Sequence, residues 1–340
     1  MQKKRIDYID IMKGMLIVCL YYGHSIVYGG VMSIDYAASH IIGKTVPFYE
    51  SFFMQTFFII TGFCSSFSQG FKIFFLKNVK TILLPGLLMY FLSYLPDTLS
   101  SHTLLEFLTL NTTNLFYYFS VKGEWFILAI FYGKMLFWLL HKIHKDNLII
   151  VFAIYLIGLF LNESDLVVNY SYHRHALLSL PFLYIGFKIK GIDFDKYPQK
   201  IVIISLVGGI ILLIQLICTL KGVFHIPFQD HGVYVTFLNW PLHFLNVICG
   251  SIIIFTIARK IGKNHFLSNL GYGSLLAYLM NGFMLKSFMY MLIQLGFIPH
   301  NQLVGFFFYL IVITLSLLSI NFMIRLIYNS PRLSWIVGKW

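Results

Sequence analysis

Three polar side chains on the first apolar segment have types and spacing that could do chemistry. Lys13 and His24 are eleven residues apart, which in an α-helix leaves them about 20° from the same line along the surface. Asp10 precedes Lys13 by three residues and lies on nearly the same stripe. One helix face would therefore present a carboxylate, an ammonium group and an imidazole.

His24 is the candidate general base of this set. An imidazole titrates near neutral pH and can take a proton from a hydroxyl, as acyl transfer requires. The alternative is a histidine that only hydrogen-bonds between helices. Lys13 could bind phosphate or a carboxylate, and its alternative is a lysine that snorkels to the cytoplasmic edge of a membrane. We take Asp10 and Lys13 as groups that organise the site.

The composition indicates what kind of chain must position these groups. Of 340 residues, 58% are hydrophobic and 11% are charged, whereas a soluble domain carries about 25% charged residues. The mean hydropathy is +0.78. These values exclude an ordinary soluble enzyme, a disordered chain and a coiled coil, and the continuous apolar runs disfavour a β-barrel. We therefore predict an all-α polytopic membrane protein.

Apolar segments long enough to cross a bilayer recur along the whole chain. The apolar stretch 103–119 is predicted to be re-entrant or interfacial, and no connecting loop is long enough for a soluble domain. Residues 1–340 should therefore form a single transmembrane domain. We predict about ten transmembrane helices, near residues 9–28, 47–67, 79–96, 124–141, 147–162, 174–190, 201–220, 236–258, 268–291 and 303–325.

The basic residues orient these predicted helices. The chain has 25 Lys and Arg residues against 13 Asp and Glu, a net charge of +12. Nineteen of the basic residues fall on the side of the N-terminus and four on the other side, which is the bias expected of cytoplasmic loops. We therefore predict cytoplasmic termini, a multi-pass protein of the plasma (inner) membrane, and no nucleic-acid partner. Lys134 and Lys286 fall inside spans and need partners there.

The four cysteines lie in apolar runs and lack the spacing of metal ligands. We therefore predict no metal site. They are Cys19, Cys64, Cys218 and Cys249.

Short motifs stand in order along nearly the whole chain. They are Asp10–Val18 with Gly23-His24, Phe57–Phe63, Lys77–Lys80 with Pro85, Gly123–Phe126, and Gly271–Tyr278. Together they resemble membrane-bound acyltransferase family 3, whose opening helix carries a basic residue, ten residues and then a histidine. The short chain and its closing stretch Pro331–Lys339 resemble the fucose 4-O-acetyltransferase-like branch of that family.

This resemblance implies an O-acyltransferase that moves an acyl group, most often acetyl, from acyl-CoA to a sugar hydroxyl. The acceptor would belong to a cell-surface polysaccharide or its lipid-linked precursor, and His24 would be the catalytic base. Acetyl-CoA would be a substrate, and no bound cofactor is expected. A basic cluster would attract the CoA phosphates from the cytoplasm, unless it serves only to orient the helices; it comprises Lys13, Lys72, Lys77 and Lys80.

Four further residues are candidates for the site. Glu124 could hydrogen-bond a sugar hydroxyl or orient His24, or it could be an interfacial carboxylate, and Trp125 follows it in the same motif. Arg174, in the cluster Tyr172–His175, could contact a diphosphate or an anionic glycan, or anchor the helix at the outer surface. Asn281 stands where the family's late motif often has histidine, and we assign it to substrate binding because asparagine cannot shuttle protons near neutral pH.

Two other functional classes remain open at this point. A transporter of a lipid-linked glycan would explain the charges and aromatic residues within the membrane, although internal repeats, common in transporters, are not evident. A membrane scaffold without chemistry would not explain Lys13 and His24 on one helix face. The sequence does not reveal the oligomeric state.

Overall fold

The computed structural model describes residues 7–32, 43, 45, 49–89, 125–163, 171–221 and 236–334. Within these ranges the regular backbone is helical and no strand occurs, so the all-α prediction is confirmed. The predicted re-entrant stretch 103–119 and the candidate Glu124 lie outside the described residues.

Helices make up most of the described ranges. The third, α3, continues into a π-helical turn, Val79–Leu83. In chain order the helices are α1 (Asp7–Val31), α2 (Phe53–Cys64), α3 (Phe71–Asn78), α4 (Trp125–Lys142), α5 (Leu148–Glu163), α6 (Ser171–Ile189), α7 (Pro198–Leu220), α8 (Trp240–Ile261), α9 (His265–Tyr272), α10 (Ser274–Gln294) and α11 (Gln302–Asn329).

Six helices of the described chain are long and apolar enough to cross a membrane. They are α1, α4, α7, α8, α10 and α11, while α2 and α5 are shorter apolar helices. The total of ten spans and the cytoplasmic termini stay predictions.

One predicted span is interrupted in the structure. The segment 268–291 forms two helices that meet at Gly273. Glycine weakens a helix by about 1 kcal/mol relative to alanine, and a Cβ atom on Gly273 would lie only 2.5 Å from the side chain of Ile324. The sequence periodicity did not reveal this break, because both helices are apolar.

The described residues group into two compact units. Unit 1 contains those of Met1–Thr56, Asp193–His231 and Leu242–Asn329. Unit 2 contains those of Phe57–Ile192, Gly232–Pro241 and Ser330–Trp340. These groups do not test the predicted single domain, which stays a prediction.

In unit 1, α1 packs against α9, α10 and α11. The contact with α9 is made backbone to backbone. A Cβ atom on Gly14 would lie 2.1 Å from the carbonyl oxygen of Leu267, and one on Gly271 would lie 1.7 Å from that of Asp10. Small residues allow this close approach between membrane helices, so neither position has room for a side chain.

Unit 2 has the same kind of close backbone contact at glycines, between α2 and α6. A Cβ atom on Gly62 would lie 2.1 Å from the carbonyl oxygen of Leu183, and one on Gly186 would lie 1.9 Å from that of Ile59. Helix α6 also packs against α4 and α5. Buried aromatic and aliphatic residues fill the space between these helices, with Phe67 and Phe137 among the most completely buried.

The glycine contacts of unit 1 should be essential to its stability. We expect Gly271→Ala to lower the free energy of unfolding by about 1–3 kcal/mol, the usual cost of overpacking. Thermal unfolding of the detergent-solubilised protein would measure the loss. Gly209→Ala is the matched control, because nothing lies within 4 Å of a Cβ atom at Gly209. Equal melting temperatures for the two variants would contradict this packing.

Candidate functional site

His24 lies on α1 and is hydrogen-bonded to a residue of α10. Its Nδ1 atom is 2.6 Å from Oδ1 of Asn281, whose side chain is buried. The Nδ2 atom of Asn281 donates a hydrogen bond to the backbone carbonyl of Tyr278. The ring of His24 also meets that of Tyr28 edge to face, at a centroid distance of 5.8 Å.

These partners determine which imidazole nitrogen carries the proton. A backbone carbonyl can only accept, so the amide of Asn281 must direct Nδ2 to Tyr278 and Oδ1 to His24. Oδ1 can only accept, so Nδ1 of His24 is the donor. In the neutral ring Nε2 is then unprotonated. Within the described part of the chain, Nε2 has no hydrogen-bond partner.

A second hydrogen bond joins the same two helices one turn earlier. The hydroxyl of Tyr21 donates to the backbone carbonyl of Ala277 at 3.1 Å. The contacts advance in the same order along both chains, from Tyr21 with Ala277 to His24 with Asn281. Helices α1 and α10 therefore run parallel, and two hydrogen bonds fix their register.

Asp10 and Lys13 are neighbours on α1, as their spacing predicts. The Nζ atom of Lys13 lies 3.2 Å from Oδ1 of Asp10, with side chains 24% and 8% exposed. Eleven residues of helix place Lys13 about 16 Å along the axis from His24. The pair therefore does not touch the imidazole, and Asp10 neutralises much of the charge that Lys13 would offer to a phosphate.

The hydroxyl of Tyr49 approaches the residue that precedes His24. A Cβ atom on Gly23 would lie 1.9 Å from Tyr49 Oη and 3.5 Å from Oε1 of Glu50. Tyr49 Oη is buried and has no hydrogen-bond partner among the described residues. Sequence reasoning missed Tyr21 and Tyr49, because only the folded chain brings Tyr21 to α10 and Tyr49 to α1. One feature of the sequence indicated that Asn281 belongs to the site of His24, namely its position just after the motif Gly271–Tyr278.

The predicted donor-binding lysines lie in unit 2. Lys72 and Lys77 are exposed on α3, and Lys80 is exposed on the π-helical turn. The loop between α2 and α3 lies beside them. Its carbonyls accept hydrogen bonds from Lys142 Nζ at Ser68 and from Lys190 Nζ at Ser65, both at 2.7 Å. The loop that precedes α3 is therefore fixed by two lysines, one from α4 and one that follows α6.

Residues His173–His175 of the predicted cluster do not form one exposed surface. His173 stacks on Tyr132 at 4.7 Å, and His175 is buried against Trp125 at 4.9 Å. Arg174 lies between them, half-buried, and its Nε atom has no hydrogen-bond partner among the described residues. Trp125 therefore packs on a neighbouring helix, and only part of the predicted basic cluster is accessible. Across the described ranges, no group of three His, Cys, Asp or Glu side chains could hold a metal ion.

The partly buried contact between Asp10 and Lys13 predicts a non-additive pair of substitutions. Asp10→Asn leaves an ammonium group without its partner and should cost about 1–3 kcal/mol of unfolding free energy. Adding Lys13→Met should recover part of that loss, because the unpaired charge is removed. Thermal unfolding of both single variants and the double variant measures the coupling. Additive losses would show that the two groups do not interact, and Lys13→Arg is the charge-preserving control.

One of the comparisons with known proteins found a match. A family model described as an acyltransferase domain matches residues 6–321. No curated protein and no solved structure matches the chain. Since the matched residues cover nearly the whole sequence and include both His24 and Asn281, the chain belongs to acyltransferase family 3 and is a multi-pass membrane acyltransferase.

Proposed function

We propose that this protein is an O-acyltransferase of the plasma (inner) membrane that moves an acyl group, acetyl in the simplest case, from acyl-CoA to a sugar hydroxyl. The acceptor would be a cell-surface polysaccharide or its lipid-linked precursor. Family membership supports acyl transfer. The observation that carries the proposal is the hydrogen bond from His24 Nδ1 to Asn281 Oδ1, because it leaves Nε2 as a proton acceptor.

The proposed reaction uses the lone pair on Nε2 of His24 as the base. As the acceptor oxygen attacks the thioester carbonyl, Nε2 of His24 takes the hydroxyl proton. The carbon–sulfur bond then breaks, and the imidazolium returns the proton to the departing CoA thiolate. Throughout these steps Nδ1 keeps its proton and its bond to Asn281. An acyl-histidine intermediate would use the same Nε2 lone pair as a nucleophile, so both routes depend on this tautomer.

Asn281 acts in this proposal as a positioning residue rather than a substrate-binding one. Its amide is held by the carbonyl of Tyr278 and in turn holds the imidazole. A carboxylate at this position would stabilise the imidazolium by a full charge, whereas the amide supplies only a dipole. The ring is therefore oriented without being made strongly basic.

The phosphates of the acyl donor would bind to exposed lysines of unit 2. CoA carries a diphosphate and a 3′-phosphate, and the exposed ammonium groups of Lys72, Lys77 and Lys80 would attract them electrostatically. Lys13 contributes less than the sequence suggested, because Asp10 already pairs with it.

His24 is the decisive residue to replace. We expect His24→Gln to lower the transfer rate by about 10²–10⁴-fold, the usual contribution of general acid–base catalysis, because glutamine can hydrogen-bond but cannot titrate. Release of free CoA from acetyl-CoA and acylation of surface glycans would measure the rate. His243→Gln is the matched control, since His243 also lies in an apolar helix of unit 1. A folded His24→Gln variant with near-normal transfer would overturn the assignment.

Two substitutions of Asn281 separate positioning from packing. Asn281→Ala should reduce kcat roughly 10- to 100-fold, the usual effect of losing a group that orients a functional histidine. Asn281→Asp should retain more activity and move the acid limb of the kcat/KM profile to higher pH. Its carboxylate would favour the protonated imidazole, which cannot act as a base. If the pH profile of Asn281→Asp matches that of the wild type, the carboxylate does not reach His24 and the positioning role is wrong.

A further inference from the structure

A lysine lies near the middle of α4, where a charged group is costly. Lys134 is about 12 to 14 Å along the axis from the two ends of that helix, a depth at which charged side chains within membranes usually have a function. Its Nζ atom sits over the ring of Phe74, 5.8 Å from the centroid. It forms no ion pair and no hydrogen bond with any residue in the described ranges.

Aromatic contacts fix α3 against α4 around this lysine. Phe74 stacks on Trp138 at a centroid distance of 6.1 Å, and the indole of Trp138 donates to the backbone carbonyl of Gln69 at 2.9 Å. On the other side, Phe75 of α3 meets Phe131 of α4 at 5.9 Å. Lys134 lies between Phe131 and Trp138 in sequence. Because both of these residues pack on α3, the side chain of Lys134 is also held against α3.

A second lysine lies next to this position. Lys77 follows Phe74 by three residues on α3 and is its neighbour on the helix surface. Both lysines are therefore placed beside Phe74, Lys134 over its ring and Lys77 one turn further along α3. Two positive charges beside one ring repel each other, and for Lys134 the contact with the Phe74 ring offsets only part of that cost. A bound anion that contacts both ammonium groups would replace this repulsion with attraction.

We propose that Lys134 and Lys77 together bind a phosphate group of the acyl donor. The inference rests on the proposed use of acyl-CoA, and it adds to the exposed lysines a residue inside the membrane-spanning helix. Lysine binds phosphate as a point charge without demanding a fixed geometry. Two such charges from different helices would select the phosphorylated part of CoA.

The test compares ligands with and without phosphates. Dissociation constants of CoA and of pantetheine, which lacks every phosphate, are measured by calorimetry on the full chain in phosphatidylcholine nanodiscs. We expect Lys134→Met to weaken CoA binding about 10- to 100-fold, as for a lost charged contact, and to leave pantetheine binding unchanged. Lys286→Met is the matched control, because Lys286 also sits over an aromatic ring, Tyr28, at 5.6 Å. It should change neither constant.

Each other outcome is decisive. Equal losses for CoA and pantetheine in Lys134→Met would overturn the phosphate site and make Lys134 a structural residue. Unchanged CoA binding, with loss only of stabilisation by added phosphatidylglycerol, would assign the lysine to a lipid headgroup instead. If Lys134→Met does not fold, Lys134→Arg and Lys134→Gln replace it, and only the arginine variant should keep CoA binding. A wild-type chain that binds neither CoA nor acetyl-CoA would instead contradict the proposed function.

Discussion

The site depends on the contact between the backbones of α1 and α9. Because Gly14 and Gly271 have no side chains, the two helices touch at Leu267 and Asp10. Helix α10 follows α9 after a single residue, so this contact places α10 along α1. The contact involves only a few residues, but it determines which residue of α10 faces His24. A shift of one residue would turn Asn281 about 100° around its helix and leave the imidazole without its partner.

The local part of this site could be read from the sequence, and the long-range part could not. Helical periodicity alone predicts that Asp10 and Lys13 are neighbours, because both lie on one element. The partner of His24 is 257 residues away in the chain, and only tertiary packing brings it close. For the same reason the position of Lys134 inside a predicted span indicated that it needs a partner, but it could not identify Phe74 as the residue that Lys134 contacts.

Several of the residues that carry the family resemblance serve packing rather than chemistry. Gly14, Gly62 and Gly271 belong to three different motifs, and each lies at a backbone contact between helices. Lipid tails are as apolar as leucine side chains, so close packing rather than water exclusion holds membrane helices together. A family motif in such a protein therefore mixes residues that fix helix distances with residues that react, and only the structure separates them.

Because α1 and α10 run parallel, the number of membrane crossings between them is restricted. Two parallel helices that both span a bilayer enter it from the same face, so the chain between them must return to that face. It can do so only through an odd number of crossings. In the part of the chain that the structure describes, seven helices stand between them, α2 to α8, if α9 and α10 are taken as one interrupted passage. Seven single crossings would satisfy the rule, and any revised topology must change that number by an even number.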